Sequence, residues 1–263
     1  MMEAFNQSKR IKKLLKEGRG QGAGKDYKPW TTISDFSSRG RASRAFGIKT
    51  KRIHHLQSDN QLRFFLICEW NSNVLDIRES YPLLDVMEVI DNKENLRFDK
   101  FCDKETGEQL VICTNFLLTV KEPDGNEKLI ARTVKNTSEL NKKITLEKLE
   151  IERRYWMQKG VEWKLITEKQ LPRQVCKNIE WIRETLLEGG VADKESMTHV
   201  LLTYLLNNME TPIKELLKEF DKSEGVADGM GLYLFRYLIA KKDIKVNMTE
   251  KINLSQKARD ILL

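Results

Sequence analysis

Leu110-Val111-Ile112-Cys113-Thr114-Asn115-Phe116-Leu117-Leu118-Thr119-Val120 is the stretch on which the fold turns. It is apolar at odd and even positions alike, so a strand formed here has both faces covered and lies centrally in a sheet. Glu122-Pro123-Asp124-Gly125-Asn126 follows, a turn by its Pro, Asp, Gly and Asn. Lys128-Leu129-Ile130-Ala131-Arg132-Thr133-Val134-Lys135 then returns as a second strand, and the two read as a hairpin. Alternation sets Ala131, Thr133 and Lys135 on one face.

Upstream of the hairpin, residues 59–70 are apolar on most sides (Leu62, Phe64, Phe65, Leu66, Ile67, Cys68, Trp70) and predict a buried helix. Gln61 shares a helical face there with Phe65 and Cys68. Val74-Leu75-Asp76-Ile77 predicts a short strand, whereas residues 83–108 are polar and favour no element. Downstream, residues 145–159 form a charged amphipathic helix and residues 161–167 a further strand. Helix, strand, hairpin, helix and strand together make a mixed α/β domain. After Pro172 the texture becomes helical. Met197, Val200, Leu201, Tyr204 and Leu205 recur at helical spacing, as do Val226, Met230, Tyr233, Leu234, Tyr237 and Leu238. Thr211 reads as a helix cap with Pro212 at the first helical position, and Ile244-Lys245-Val246 as a short strand. The expected division is an α/β domain over 1–171 and a mostly helical, winged-helix-like domain over 172–263.

The chain has 263 residues, enough for one or two domains. No stretch of 18 or more apolar residues exists, which excludes a transmembrane helix. The N-terminus lacks a signal-peptide core. Cys68, Cys102, Cys113 and Cys176 are scattered without a C-x-x-C pair, against a cysteine zinc site and for a reducing cytosol. Net charge is +7, unevenly placed: residues 1–52 carry 14 Lys/Arg against 4 Asp/Glu, and the remainder 32 against 35. A basic N-terminal fifth on a nearly neutral body points to a polyanion, and nucleic acid is the commonest. Lys12, Lys13, Arg19, Lys25, Arg39, Arg41, Arg44, Lys49, Lys51 and Arg52 are the candidate phosphate contacts.

The arm opens with a basic helix over residues 9–17 that stops at Gly18. Gly18-Arg19-Gly20-Gln21-Gly22-Ala23-Gly24-Lys25-Asp26 is a loop and not a phosphate-binding P-loop. Arg19 stands where that motif needs its first Gly, and Asp26 where it needs Ser or Thr. The loop fits a phosphate-backbone contact or a plain turn equally. Trp30, after Lys28 and Pro29, is the tryptophan placed to dock a partner. His54 and His55 are adjacent, so on a strand they face opposite ways and chelate poorly. Asp76, Arg78 and Glu79 follow an apolar strand and suggest a buried Asp–Arg ion pair.

A central strand with a polar residue at its middle, a hairpin strand ending in T-x-K and a following helix match a metal-nuclease pattern in outline. The surrounding blocks say more. Leu15-Lys16-Glu17-Gly18-Arg19-Gly20-Gln21-Gly22, Gly24-Lys25-Asp26-Tyr27, Pro29-Trp30, Gly40-Arg41, Lys49-Thr50, His54-His55-Leu56 and Ser58-Asp59 come in order. Phe65-Leu66, Glu69-Trp70, Val74-Leu75-Asp76-Ile77-Arg78-Glu79, Pro82-Leu83-Leu84, Leu146-Glu147-Lys148-Leu149-Glu150 and Glu152-Arg153-Arg154-Tyr155-Trp156 follow. In these blocks, dense over residues 15–170, the sequence resembles the TnsA family, the endonuclease subunits of heteromeric cut-and-paste DNA transposases.

That resemblance implies a restriction-endonuclease-like N-terminal domain, a central mixed sheet flanked by helices, and a winged-helix-like C-terminal domain. It implies Mg²⁺-dependent cleavage of the 5′ strand at transposon ends. It also implies a TnsB-like transposase that cuts and joins the 3′ strand, and a TnsC-like ATP-dependent regulator that contacts the C-terminal domain. The family's catalytic Glu corresponds to Gln61, its catalytic Asp to Asn115, and its Gln-x-Lys strand to Thr133-Val134-Lys135. Only Lys135 stands as the family has it. Gln and Asn keep the shape of the acids and lose the charge, and Thr adds a neutral hydroxyl. Magnesium prefers hard anionic oxygens, so Gln61, Asn115 and Thr133 are weak metal ligands and cleavage is expected to be lost or strongly impaired. The rival expectation is an active nuclease with a displaced acid, Glu150 or Glu147 on the helix after Lys135. Glu69 lies about 80° round the helix from Gln61 and is poorly placed. A third, a stand-alone DNA-binding regulator, needs a basic recognition helix, and Ile213-Lys214-Glu215-Leu216-Leu217-Lys218-Glu219 is mixed in charge.

Overall fold

The computed structural model describes residues 9–35, 41–103, 107–187 and 193–262. The chain divides into two units, Met1–Leu171 and Pro172–Leu263. The first opens with α1 (Lys9–Lys16), which buries Ile11 and leaves its lysines outward. Strands β1 (Ser43–Phe46) and β2 (Ile53–Leu56) pair antiparallel as a ribbon of their own, with Ala45 opposite His54 and Phe46 opposite Ile53. Then comes α2 (Asp59–Trp70), capped by Ser58, whose hydroxyl accepts the Gln61 N–H at 3.3 Å.

The main sheet contains β3 (Val74–Pro82), β4 (Cys113–Lys121), β5 (Glu127–Val134) and β6 (Glu162–Ile166), in that spatial order. β3, β4 and β5 are antiparallel neighbours. β6 lies parallel to β5, which requires a crossover, and α4 (Lys143–Gln158) supplies it. Between β3 and β4 lie α3 (Val86–Val89) and a single turn at Phe98–Phe101. The order from α2 to β6 is therefore α–β–α–β–β–α–β, a mixed sheet flanked by helices, as expected for the restriction-endonuclease-like class.

Each face of this sheet has its own core. Phe64 of α2 packs on Phe116 of β4 with ring centroids 5.0 Å apart, an arrangement that adds roughly 1 kcal/mol beyond the area buried. On the opposite face Leu117 and Ala131 meet Ile151, Tyr155 and Trp156 of α4. Leu83, Val86, Ile90 and Ile112 complete that cluster. The polar stretch 83–108 thus contributes an apolar lid whose few contacts are diluted by the charged residues around them.

Three elements depart from expectation. β3 runs on to Pro82, with Arg78 donating to Thr119 Oγ1 at 3.1 Å and its Nε 3.3 Å from Asp76 Oδ2, an ion pair without a hydrogen bond. β4 starts at Cys113, since Ile112 and Leu110 bond instead to Leu83 and Phe101 in the flanking loops. The ribbon β1–β2 falls in the segment read as a basic arm. Its buried positions are Ala45, His54 and Leu56, and a histidine among them conceals the apolar alternation.

The second unit holds α5 (Arg173–Leu187), α6 (Lys194–Asn207), α7 (Ile213–Ser223), α8 (Met230–Lys241) and α9 (Ala258–Ile261). Ile182, Leu201, Leu205, Phe220, Leu234 and Phe235 are its buried centre. α7 and α8 approach closely at Gly231, where a Cβ would sit 2.7 Å from the Leu217 carbonyl oxygen. Asp221 accepts the Gly229 and Gly231 N–H groups at 2.8 and 2.6 Å. Pro212 takes the cap position with Ile213 first in the helix, one residue later than the sequence suggested. Ile244-Lys245-Val246 forms no strand. Among the described residues the unit's β structure is confined to isolated bridges, Val246 to Leu262 and Pro212 to Lys257. No helix among the described residues is long and apolar enough to cross a membrane.

Candidate functional site

The first turn of α2, the start of β4 and the end of β5 meet at one end of the sheet. Asn60 Nδ2 donates to Asn136 Oδ1 at 2.7 Å, which ties α2 to the residues that follow β5. The β4–β5 ladder ends at the pair Phe116–Arg132. Beyond it the Asn115 side chain takes the place of a backbone acceptor, its Oδ1 receiving the Val134 N–H at 2.8 Å. Gln61 is buried, and its Oε1 accepts the Gln57 N–H at 2.9 Å. Lys135 follows the strand, its N–H donating to the Ile166 carbonyl at 3.0 Å and its ammonium 3.5 Å from Glu139.

Thr133 does not join this group. It is wholly buried on the α4 side, where its hydroxyl donates to Glu152 Oε2 at 2.5 Å and accepts the Trp163 Nε1–H at 3.1 Å. Glu152 is buried as well, with Oε1 3.2 Å from the Lys148 ammonium. This acid was missed in the sequence, although a signal exists. Leu149, Glu152 and Trp156 are spaced i, i+3, i+7, which puts a carboxylate in the middle of an apolar helical face. Glu150 points elsewhere. It makes ion pairs of 2.8 Å with both Arg153 and Arg154, and Arg154 in turn bonds the Asn92 and Glu94 carbonyls. Hydrogen bonds from Arg153 and Arg154 hold its carboxyl down to about 2.

The side-chain oxygens of Gln61, Asn115 and Thr133 are neutral, the two amide oxygens each accepting a backbone N–H hydrogen bond and the Thr133 hydroxyl donating one to Glu152. Among the described residues no group of three or more His, Cys, Asp or Glu side chains is placed to share a metal ion. Thr133 and the Glu152 carboxylate it bonds lie on the α4 side, and a magnesium ion at Gln61 and Asn115 would gain no negative charge from either amide and would have to displace their internal hydrogen bonds. The residues present do not fit it.

The candidate phosphate contacts divide sharply. Lys12, Lys13, Lys25, Arg41, Arg44 and Lys51 are exposed, and Arg44 donates to Ser34 Oγ at 3.2 Å. Arg39 lies outside the described residues. Arg19, Lys49 and Arg52 are committed inward. Arg19 donates to Asp35 at 2.6 Å and to the Trp30 carbonyl at 3.2 Å. Lys49 Nζ donates to the Asn71 and Val74 carbonyls at 2.6 and 2.5 Å. Arg52 grips Glu79 with both terminal nitrogens, at 2.8 and 2.6 Å. Trp30, expected as a docking residue, is buried, and its N–H donates to the Ser80 carbonyl. The glycine loop folds back on itself. Gly22 has φ +86°, and a Cβ there would lie 2.6 Å from the Asp26 carbonyl oxygen.

Glu79 is the hub of a second polar cluster. Besides Arg52 it bonds His54 Nδ1 at 2.8 Å and accepts the His55 N–H at 3.1 Å. His54 Nε2 pairs with the Thr50 hydroxyl at 2.7 Å. In the neutral tautomer that donates from Nδ1, both ring nitrogens are then satisfied. Burial alone would raise the Glu79 pKa, but hydrogen bonds from His54 and Arg52 outweigh it and hold the carboxyl down to about 2.

Comparison with known proteins adds to this geometry. Residues 71–168 match the TnsA-like endonuclease N-terminal family, and residues 170–248 the TnsA endonuclease C-terminal family. The chain is 38% identical over 240 residues to the transposon Tn7 transposition protein TnsA of Escherichia coli, which covers 90% of this chain and 85% of that protein.

Proposed function

The chain belongs to the TnsA family of transposition endonucleases, and from that premise we propose that it is a transposon-end subunit whose strand-cutting site is disarmed. The observation that carries the reading is the neutral, internally hydrogen-bonded state of Gln61, Asn115 and Thr133. The exposed cations of residues 9–51 hold the DNA backbone, and Lys135 adds positive charge beside the sheet end where a scissile phosphate would lie. Residues 1–171 act as the DNA-facing domain. Residues 172–263 act as a winged-helix-like docking domain for a TnsC-like ATP-dependent regulator. A TnsB-like transposase cuts and joins the 3′ strand in the same complex. With no resident metal or disulfide required, the protein works in the bacterial cytosol on DNA.

The test is a nicking assay on labelled transposon-end DNA with Mg²⁺ and then Mn²⁺, with the transposase and regulator present. The chain is run beside the double variant Gln61→Glu, Asn115→Asp. The expected result is 5′-strand nicking by the double variant alone. Nicking by the unaltered chain that is abolished by Glu150→Gln supports the alternative of an active nuclease with a displaced acid.

A further inference from the structure

The ribbon β1–β2 has an outer face with no role in the core. Opposed residues on an antiparallel pair project to the same side, so the pairs Arg44–His55 and Phe46–Ile53 share that face. Phe46 is 44% exposed and Ile53 52%, although both are large and apolar and Leu56 of the same ribbon is fully buried. A cross-strand contact between them is worth at most about 1 kcal/mol, which accounts for their pairing and not for their exposure. Exposed cations surround them: Arg41 just before β1, Arg44 beside Phe46, and Lys51 at the turn. The ribbon and its turn, residues 43–56, contain no Asp or Glu. Nearby acids are engaged, Asp35 by Arg19, Glu79 by Arg52 and His54, and Glu69 by the backbone N–H groups of the turn.

The inner face explains why this surface is rigid. Glu79 holds β2 through Arg52, His54 and the His55 N–H. Glu69 accepts the Ile48 and Lys49 N–H groups at 2.8 and 3.2 Å and so fixes the turn. A Cβ on Gly47 would run into the Thr50 hydroxyl and His54 Nε2, so the turn closes tightly on the histidine. A short ribbon locked from below, with an exposed apolar pair and exposed cations at Arg41, Arg44 and Lys51 along the same stretch of chain, matches duplex DNA. A two-stranded ribbon fits the major groove, where apolar side chains meet base methyl groups and cations take the flanking phosphates.

We propose that the outer face of β1–β2 is a DNA-contacting surface, with Phe46 and Ile53 against base or sugar surface and Arg41, Arg44 and Lys51 on phosphates. The proposal rests on the reading of the chain as a transposon-end subunit and names the element that touches the duplex. The experiment is equilibrium binding of the full chain to a fluorescein-labelled duplex of about 30 base pairs across a salt series. Replacing Arg41, Arg44 and Lys51 together by Ala is expected to weaken binding and to flatten the salt dependence by about 1 for each phosphate no longer neutralised. The double variant Phe46→Ser, Ile53→Ser is expected to weaken binding about tenfold with the salt slope unchanged. Phe46→Leu retains most of the affinity. Both exposed positions tolerate these changes, and an unchanged melting temperature verifies it. Wild-type binding to DNA with full affinity in the serine variant overturns the proposal, and loss of transposase binding in that variant would then assign the face to a protein. Failure of the unaltered chain to bind any duplex overturns it too, and does so by removing the DNA-end reading rather than the ribbon's part in it.

Discussion

The N-terminal unit carries two polar clusters, and they treat charge in opposite ways. At Glu79 a buried carboxylate is kept ionised by a two-pronged arginine and a histidine. At the sheet end, Gln61 and Asn115, the two positions that the resemblance equates with the family's acids, hold amides, each bonded to the protein itself. Two carboxylates and a metal ion stabilise one another, but two carboxylates without the ion repel. An amide at each position keeps the fold's hydrogen bonds with no ion required. Charge is present where it holds the architecture together, and the side chains of Gln61 and Asn115 at the sheet end carry none.

The largest expected effect comes from breaking the charged cluster. Glu79→Ala leaves the buried Arg52 guanidinium and His54 without their anion and should cost about 3–5 kcal/mol in urea unfolding. A loss under about 1 kcal/mol would show that the cluster is not structural. The same group gives a pH signature. The folded pKa of Glu79 is depressed from 4.5 to about 2, so its stabilisation is complete above 4.5 and is lost as the pH falls toward 2. The stability gap between the wild-type protein and Glu79→Gln should therefore be constant at neutral pH and close in acid.

Thr133→Val comes next. It removes the hydroxyl between two buried partners and leaves the Trp163 N–H and one Glu152 oxygen unsatisfied, at a cost of about 1–3 kcal/mol. A neutral result would mean that water replaces the hydroxyl and that the α4 side of the site is wetter than its burial indicates. The smallest effect is expected at Glu150, whose side chain is 35% exposed. Screening by solvent limits its arginine pairs, and Glu150→Gln should change the unfolding free energy by about 0.5 kcal/mol or less.

Much of this was legible in the sequence where periodicity was strong. The hairpin of β4 and β5, the helices α2 and α4 and the strand β6 all announce themselves by apolar spacing. β1, β2 and the second half of β3 do not, because His54, Arg52 and Glu79 occupy positions where a core strand would carry apolar residues. The pattern there is set by a partner 25 or 27 residues away, which no local window sees. The same blindness made Arg19, Lys49 and Arg52 look like phosphate contacts, since a string of residues shows charge without showing what neutralises it. The correspondence of Gln61 and Asn115 to the family's acids rests on the blocks of resemblance around them. The turning of Thr133 toward Glu152 follows from side-chain packing on α4 and has no counterpart in the alternation of β5.

The central claim is that the sheet end holds no divalent cation because its ligands are neutral. Titration of Mn²⁺ into the full-length chain, followed by electron paramagnetic resonance of the free ion, tests it without any cleavage step. The predicted result is no saturable site in the unaltered chain and one site in the double variant Gln61→Glu, Asn115→Asp, with a metal-dependent rise in melting temperature in that variant alone. Saturable binding of one Mn²⁺ by the unaltered chain, removed by Asn115→Ala, would contradict it.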